Sequence, residues 1–359
     1  MKCKSYLEGP YLPVALSLIL LQSVCLAGGK AERIEAIVAA YVESGDIHGT
    51  VLVAERGTVL YAKAFGTANM EWDIPNGIDT RYRIYSMSKQ FTALLVMQLA
   101  EADQLDVQKP ISAYLPYYRK DVADRVTVHH LLTHTHGIAE HYERLPMFLV
   151  PEPTRELVEK YFNNELDFEP GTQFRYSGLL GYILLGAIIE SVTGQPYEQV
   201  LQQRIFDPAA MENTTYLDYH QLIPKRAADY TRTDEGIEHR IQAYPMHADG
   251  ASGIVSTAVD LLQWDQALYS NVLLSKPYQD EMFTPQVTER APYYYGYGWF
   301  VADLELGGKE KRIYYHTGGG TNIIFRSGAD HQTVILLNNL RSRKLYDIGL
   351  EILKAIQAG

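Results

Sequence analysis

The sequence predicts a mixed α/β fold: an antiparallel β-sheet flanked by N- and C-terminal helices, with an all-helical lobe inserted between the two parts of the sheet. Three observations lead there. Runs rich in β-branched and aromatic residues lie near both ends, within 49–65 and 293–338, and helical patterns dominate from Ser86 to about residue 230. Each terminal segment also carries a one-sided apolar helix, so a sheet closed by both ends would be covered by both. No repeat or low-complexity linker interrupts the chain. It reads as one unit with a sheet lobe of about 30–85 plus 245–359 and a helical lobe of about 86–244.

The elements follow in order. Ile34, Ile37, Val38, Tyr41 and Val42 share one helical face, which ends at Gly45. Gly49–Ala54 and Thr58–Phe65 form a hairpin around Glu55-Arg56-Gly57. Residues 67–83, with Pro75-Asn76-Gly77, read as loop. A helix opens near Ser86 and continues through the apolar run Phe91–Met97, which has no polar face to leave in water. Residues 126–137 read as a short helix ended by glycine, and 154–162 as another. Glu169-Pro170-Gly171 turns the chain before Tyr176-Ser177-Gly178. Leu179–Thr193 is a long apolar helix with Gly194 as its cap and Pro196 barring continuation. Thr257 with Asp260 resembles a capping box opening a helix over 258–268. Tyr293–Val301, Arg312–His316, Asn322–Arg326 and Thr333–Asn338 are β-rich runs, and Leu345, Ile348, Ile352 and Ile356 place one apolar face on a closing helix.

Composition narrows the function classes. The 359 residues are 47% hydrophobic and 21% charged, with a net charge of −11 and no basic run, which disfavours nucleic-acid binding. Residues 1–27 have the form of an export signal: Lys2 and Lys4, an apolar core from Leu12 to Leu26, and a small residue, Ala27, at the end. That reading puts the protein in the periplasm or outside the cell, an uncleaved anchor being the alternative. The two cysteines, Cys3 and Cys25, both lie within this segment. Cleavage after Ala27 leaves no thiol for a disulfide, a metal site or a nucleophile.

The chemistry centres on Ser86-Met87-Ser88-Lys89. Residues three apart on a helix share a face, so the lysine amine can reach the Ser86 hydroxyl. A serine hydroxyl is a weak nucleophile until a neighbouring base takes its proton. Lysine serves as that base only as a free amine, and burial near a helix N-terminus disfavours the ammonium form. The same terminus leaves the Ser86 backbone N–H free to meet a developing oxyanion.

Two further boxes stand with this one: Tyr176-Ser177-Gly178 on a turn before a helix, and His316-Thr317-Gly318-Gly319 at the end of a β run. Together with Leu131-Leu132-Thr133-His134-Thr135, Gly296-Tyr297-Gly298-Trp299 and Ser256–Asp260, they make the chain resemble the serine β-lactamase and penicillin-binding-protein superfamily. The closest likeness is to the class C β-lactamase-like serine hydrolases, over nearly all of residues 30–357. The resemblance implies a β-lactamase/transpeptidase-like fold with Ser86 as acylated nucleophile and Lys89 as its base. Tyr176 would hydrogen-bond Ser86 and relay protons, and His316 would support the cleft electrostatically and orient substrate. The N–H groups of Ser86 and Gly319 would form the oxyanion hole, with Thr317 and Gly318 lining the substrate strand. It also implies no cofactor and a small-molecule or peptide substrate, including peptidoglycan-derived ones.

This chain departs from the family pattern in three places. The second box often reads Tyr-x-Asn, but Gly178 has no side chain to bind a substrate amide. The segment from Tyr176 to Tyr182 is one residue longer than the common pattern. The third box has His316 instead of lysine. These departures favour a peptidase or esterase over a β-lactamase. A different class, a non-catalytic penicillin-binding-like sensor or scaffold, draws on Gly178 alone. Five of the 11 histidines, at 129, 130, 134, 136 and 141, crowd together, and His130/His134 have metal-ligand spacing. No H-E-x-x-H accompanies them, so the reading remains no metal. No G-x-S-x-G elbow is present either.

Overall fold

Pairing of the first and last strands stitches the two ends of the chain into one sheet. In the computed structural model, which describes residues 28–145, 153–217, 221–240 and 250–357, Gly49–Glu55 pairs antiparallel with Gln332–Asn338. The eight-stranded sheet runs in the order Val287–Arg290, Tyr293–Tyr295, Phe300–Leu306, Lys309–Gly318, Asn322–Ser327, Gln332–Asn338, Gly49–Glu55, Thr58–Ala64. Every neighbouring pair is antiparallel. The export-signal reading of residues 1–27 and the lobe boundary at 244/245 lie outside the described residues.

The central strands are apolar on both faces because both faces are covered. Val51, Val53, Val334 and Leu336 face the terminal helices Gly28–Glu43 and Leu345–Gln357, where they meet Ile34, Val38, Ile348 and Ile352. Leu52, Ile335 and Leu337 point the other way, into a core shared with Phe91, Leu261 and Trp264. Period-two alternation thus feeds two separate cores, and each fully buried aliphatic side chain contributes about 1.5–3 kcal/mol. A buried ion pair crosses the second core: Arg326 Nε donates to Asp265 Oδ1 at 2.8 Å. Its guanidinium rests on the rings of Tyr269, Phe283 and Trp299.

Several local expectations are corrected. Tyr293–Val301 is two strands, because Gly298, at φ +76°, turns the chain against the Lys89 helix; a Cβ there would lie 2.8 Å from Lys89 O. The helix within 126–137 covers only Val128–Leu132, and His134, at φ +58°, takes the left-handed position before the glycine does. Thr154–Leu157 widens into a π-helix over Val158–Phe162. Thr257 does cap Ala258–Ala267 through Asp260 N–H, but the Asp260 carboxylate turns away to accept from Asn213 N–H and the Thr214 hydroxyl.

The stretch 67–83 is more structured than the loop expected for it. It holds the short strands Thr67–Asn69, Ile74–Pro75 and Tyr82–Arg83, and the last pairs with Ile254–Ser256 just before the nucleophile. Among the described residues no helix is long and apolar enough to cross a membrane.

Candidate active site

Ser86 lies in a 3₁₀ turn, Tyr85–Ser88, and Lys89 is the first residue of the α-helix Lys89–Glu101. Side chains three apart eclipse in a 3₁₀ turn, which brings the two groups together more directly than an α-helix would. Lys89 is fully buried, and its Nζ lies 3.2 Å from Ser86 Oγ, 2.8 Å from Gly178 O and 3.3 Å from Ala251 O. All three partners are uncharged oxygens. An ammonium satisfies them with three donors. A free amine satisfies them equally, giving two N–H bonds to the carbonyls and accepting the Ser86 O–H with its lone pair. The site therefore accommodates both ends of a proton transfer.

Tyr176 is held beside this pair by a residue the sequence reading left without a role. His134 accepts the Ser177 N–H at Nδ1 (3.0 Å), and its carbonyl accepts the Arg175 N–H (2.9 Å), so it grips the chain on both sides of Tyr176. Its ring lies 4.4 Å from that of Tyr176. Burial pushes the His134 imidazole well below its ordinary pKa, with further depression from Lys89. The Tyr176 ring centroid is 5.3 Å from Lys89 Nζ and stacks at 5.8 Å on Phe300. Among the described residues its hydroxyl makes no hydrogen bond to Ser86, so the expected Tyr176–Ser86 bond is not formed in this state.

The third box closes the cleft from the sheet. His316, on the strand Lys309–Gly318, is fully buried. Its Nδ1 donates to Thr317 O at 2.8 Å, which leaves Nε2 to accept from the Tyr295 hydroxyl at 3.3 Å. Burial, and then the Lys89 charge, lower it to about 3. The imidazole is neutral at pH 7, so it orients the cleft through hydrogen bonds and contributes no positive charge. Thr317 is half-buried at the strand end.

Gly318 and Gly319 are required by close approach. A Cβ on Gly318 would lie 2.1 Å from Ile84 O, and one on Gly319, at φ +59°, would lie 2.8 Å from Tyr85 Cγ. The turn is tied down by Asn322 Nδ2 donating to Arg83 O at 2.8 Å. It thus packs on the residues leading into Ser86, and neither the Ser86 nor the Gly319 N–H has a backbone acceptor among the described residues.

The place left open by Gly178 is filled from elsewhere. A Cβ on Gly178 would meet the Tyr142 hydroxyl at 3.2 Å. That hydroxyl accepts the Leu179 N–H at 3.1 Å and donates to Glu140, which also receives the Ser177 hydroxyl. No spacing in the sequence marks Glu140 or Tyr142. Gly178→Ala is expected to destabilise the protein by about 1–3 kcal/mol through overpacking. Adding Tyr142→Phe removes the crowded oxygen, so the double variant should be less destabilised than the sum of the singles by at least about 0.5 kcal/mol in urea unfolding. Strict additivity would mean that the two positions do not share the space.

The crowded histidines are occupied separately. His130 Nδ1 accepts from Thr127 N–H, His134 Nδ1 from Ser177 N–H and His136 Nδ1 from Ile138 N–H. Among the described residues no group of three or more His, Cys, Asp or Glu side chains is placed to hold an ion.

Comparison with known proteins agrees with this geometry. A family model described as Beta-lactamase matches residues 34–355. The chain is 30% identical over 353 residues to penicillin-binding protein 4* of Bacillus subtilis, covering 91% of this chain and 75% of that protein. It is 28% identical over 290 residues to esterase EstB of Burkholderia gladioli, covering 68% of this chain and 71% of that one. The crystal structure of a penicillin-binding protein from Bacillus halodurans superposes with a TM-score of 0.77 at 26% identity, covering 90% of this chain and 98% of that one.

Proposed function

Because this chain belongs to the beta-lactamase family, we propose that it is an exported serine hydrolase that cleaves an amide or ester through an acyl-Ser86 intermediate. The observation that carries this is the buried Lys89 Nζ, 3.2 Å from Ser86 Oγ and, among the described residues, otherwise hydrogen-bonded to two carbonyls. The Ser86 proton passes to the amine as the oxygen attacks the substrate carbonyl. The N–H groups of Ser86 and Gly319 receive the negative charge that develops, and losing one such donor costs about 3–4 kcal/mol. Collapse expels the leaving group, to which Tyr176 relays the proton once its hydroxyl turns toward Ser86. Water then reverses the sequence and frees the acid.

The acyl group is the finer part of the proposal. The neutral His316 and the filled space at Gly178 favour a peptidase or esterase substrate over a β-lactam, in keeping with an esterase among the relatives.

Intact-mass measurement after exposure to a panel of 4-nitrophenyl esters, D-amino-acid amides and penicillins tests the proposal. An adduct that maps to Ser86, is absent from Ser86→Ala and decays as product appears is the expected result. An adduct that never decays would replace the enzyme with a sensor. No adduct and no turnover from any class would leave a scaffold.

A further inference from the structure

The residue before the nucleophile sits in a cationic cluster that the acyl-transfer steps do not use. Tyr85 has φ +50°, a left-handed conformation that costs a bulky residue about 1 kcal/mol or more. Two guanidiniums flank its ring: Arg83 Cζ lies 4.7 Å and Arg240 Cζ 4.6 Å from the centroid. Its phenol also hydrogen-bonds Asp229, a carboxyl pushed up by burial against the pull of Arg83 and Arg240. Arg83 is tied to Ser252 through Nε and Nη2, both at 3.4 Å.

Arg240 is placed differently. It follows the hairpin strand Gly236–His239, and its backbone N–H donates to Asp229 O at 2.8 Å. Its Nη1 is buried with no hydrogen-bond partner among the described residues. That nitrogen lies 3.1 Å from where a Cβ on Gly319 would stand, on the turn that packs against Tyr85. A guanidinium cannot give up its charge, and burying one of its donors unsatisfied is costly. An acceptor carried by a bound molecule would satisfy it. The third-box histidine is neutral, so positive charge at this turn comes from arginines, of which Arg240 has its Nη1 nearest Gly319. A chain of net charge −11 does not draw anions by its overall field, so recognition of one has to come from local contact.

We propose that Arg240 is a specificity-determining residue that binds the carboxylate of an anionic substrate beside Gly319, within the acyl-Ser86 reaction on which this inference rests. The planar guanidinium fork matches a carboxylate geometrically, and the contact is charge-assisted.

The test uses two substrate pairs that differ only by a carboxylate. For the acyl side these are 4-nitrophenyl hemisuccinate and 4-nitrophenyl butyrate; for the leaving side, 3-acetoxybenzoate and phenyl acetate. Arg240→Ala is expected to lower the charged-to-neutral ratio of kcat/KM by about 10- to 100-fold in one pair, which identifies the side the carboxylate occupies. Arg240→Lys should restore part of that ratio. Arg232→Ala, an exposed change in the same hairpin, should leave it as in the parent. Ratios unchanged in both pairs, or charged and neutral members falling together, would overturn the assignment. Loss of the Ser86 adduct in the parent protein would be a separate failure, that of the acyl-enzyme reading itself.

Discussion

Lys89→Met is expected to lower kcat/KM on a 4-nitrophenyl ester by about 10³- to 10⁶-fold, the range spanned by loss of a general base and loss of a tightly coupled catalytic pair. Methionine has nearly the length of lysine, so the side chain fits this fully buried position. The stability cost comes from the Gly178 carbonyl losing its donor, about 1–3 kcal/mol, and is offset in part because no polar group now needs burying. Urea unfolding on the same preparations separates the two effects. Lys89→Arg should be as inactive, because a guanidinium stays charged and cannot accept the Ser86 proton. A methionine variant within about tenfold of the parent would place the base elsewhere and remove Lys89 from the reaction.

The proximity behind that expectation was legible in four letters of sequence, since Ser86 and Lys89 three apart at a helix start can hardly avoid one another. The sheet was legible for a related reason. Val51–Ala54 and Val334–Leu337 are apolar at every position, and only burial on both faces permits that. The hidden parts depend on contacts between segments distant in the chain. Tyr142 reaches the space over Gly178 from a loop 36 residues upstream, and Arg240 reaches Gly319 from a separate hairpin. Neither contact leaves a periodicity or spacing to read.

His134 is an intermediate case. Its segment Leu131–Thr135 carried part of the family resemblance, yet its grip on both sides of Tyr176 depends on a left-handed φ that sequence does not display. The strand end at His316 was found, but its charge state was not. The resemblance implied electrostatic support of the cleft without fixing the charge, and full burial lowers the imidazole to about 3.

That neutrality predicts how the fold responds to acid. His136 and His316 are each lowered to about 3 by burial, and His134 is lowered well below its ordinary value for the same reason. In the unfolded chain these histidines take up protons near pH 6.5; in the native state His136 and His316 do not until about pH 3, and His134 is held well below its ordinary value. Between those limits the unfolded state binds more protons, so their contribution is fully present above about pH 6.5 and lost as pH falls. Each adds up to about 1.4 kcal/mol per pH unit to the slope, about 4 for the three together. Glu190 and Asp229, whose carboxyls burial pushes up, act in the opposite sense and reduce the net slope.

His136→Ser isolates one of the three. A serine hydroxyl can still accept the Ile138 N–H that His136 Nδ1 holds at 3.0 Å, and it binds no proton in this range. The variant should be less stable than the parent by about 1–3 kcal/mol near neutrality, from the lost packing. Its unfolding free energy in urea should then fall less steeply, by about 1.4 kcal/mol per pH unit between about pH 6 and 5. The two curves therefore approach each other, and cross if the neutral deficit is small. Parallel curves would show that His136 titrates in the native protein as it does in the unfolded chain, which its fully buried position should forbid.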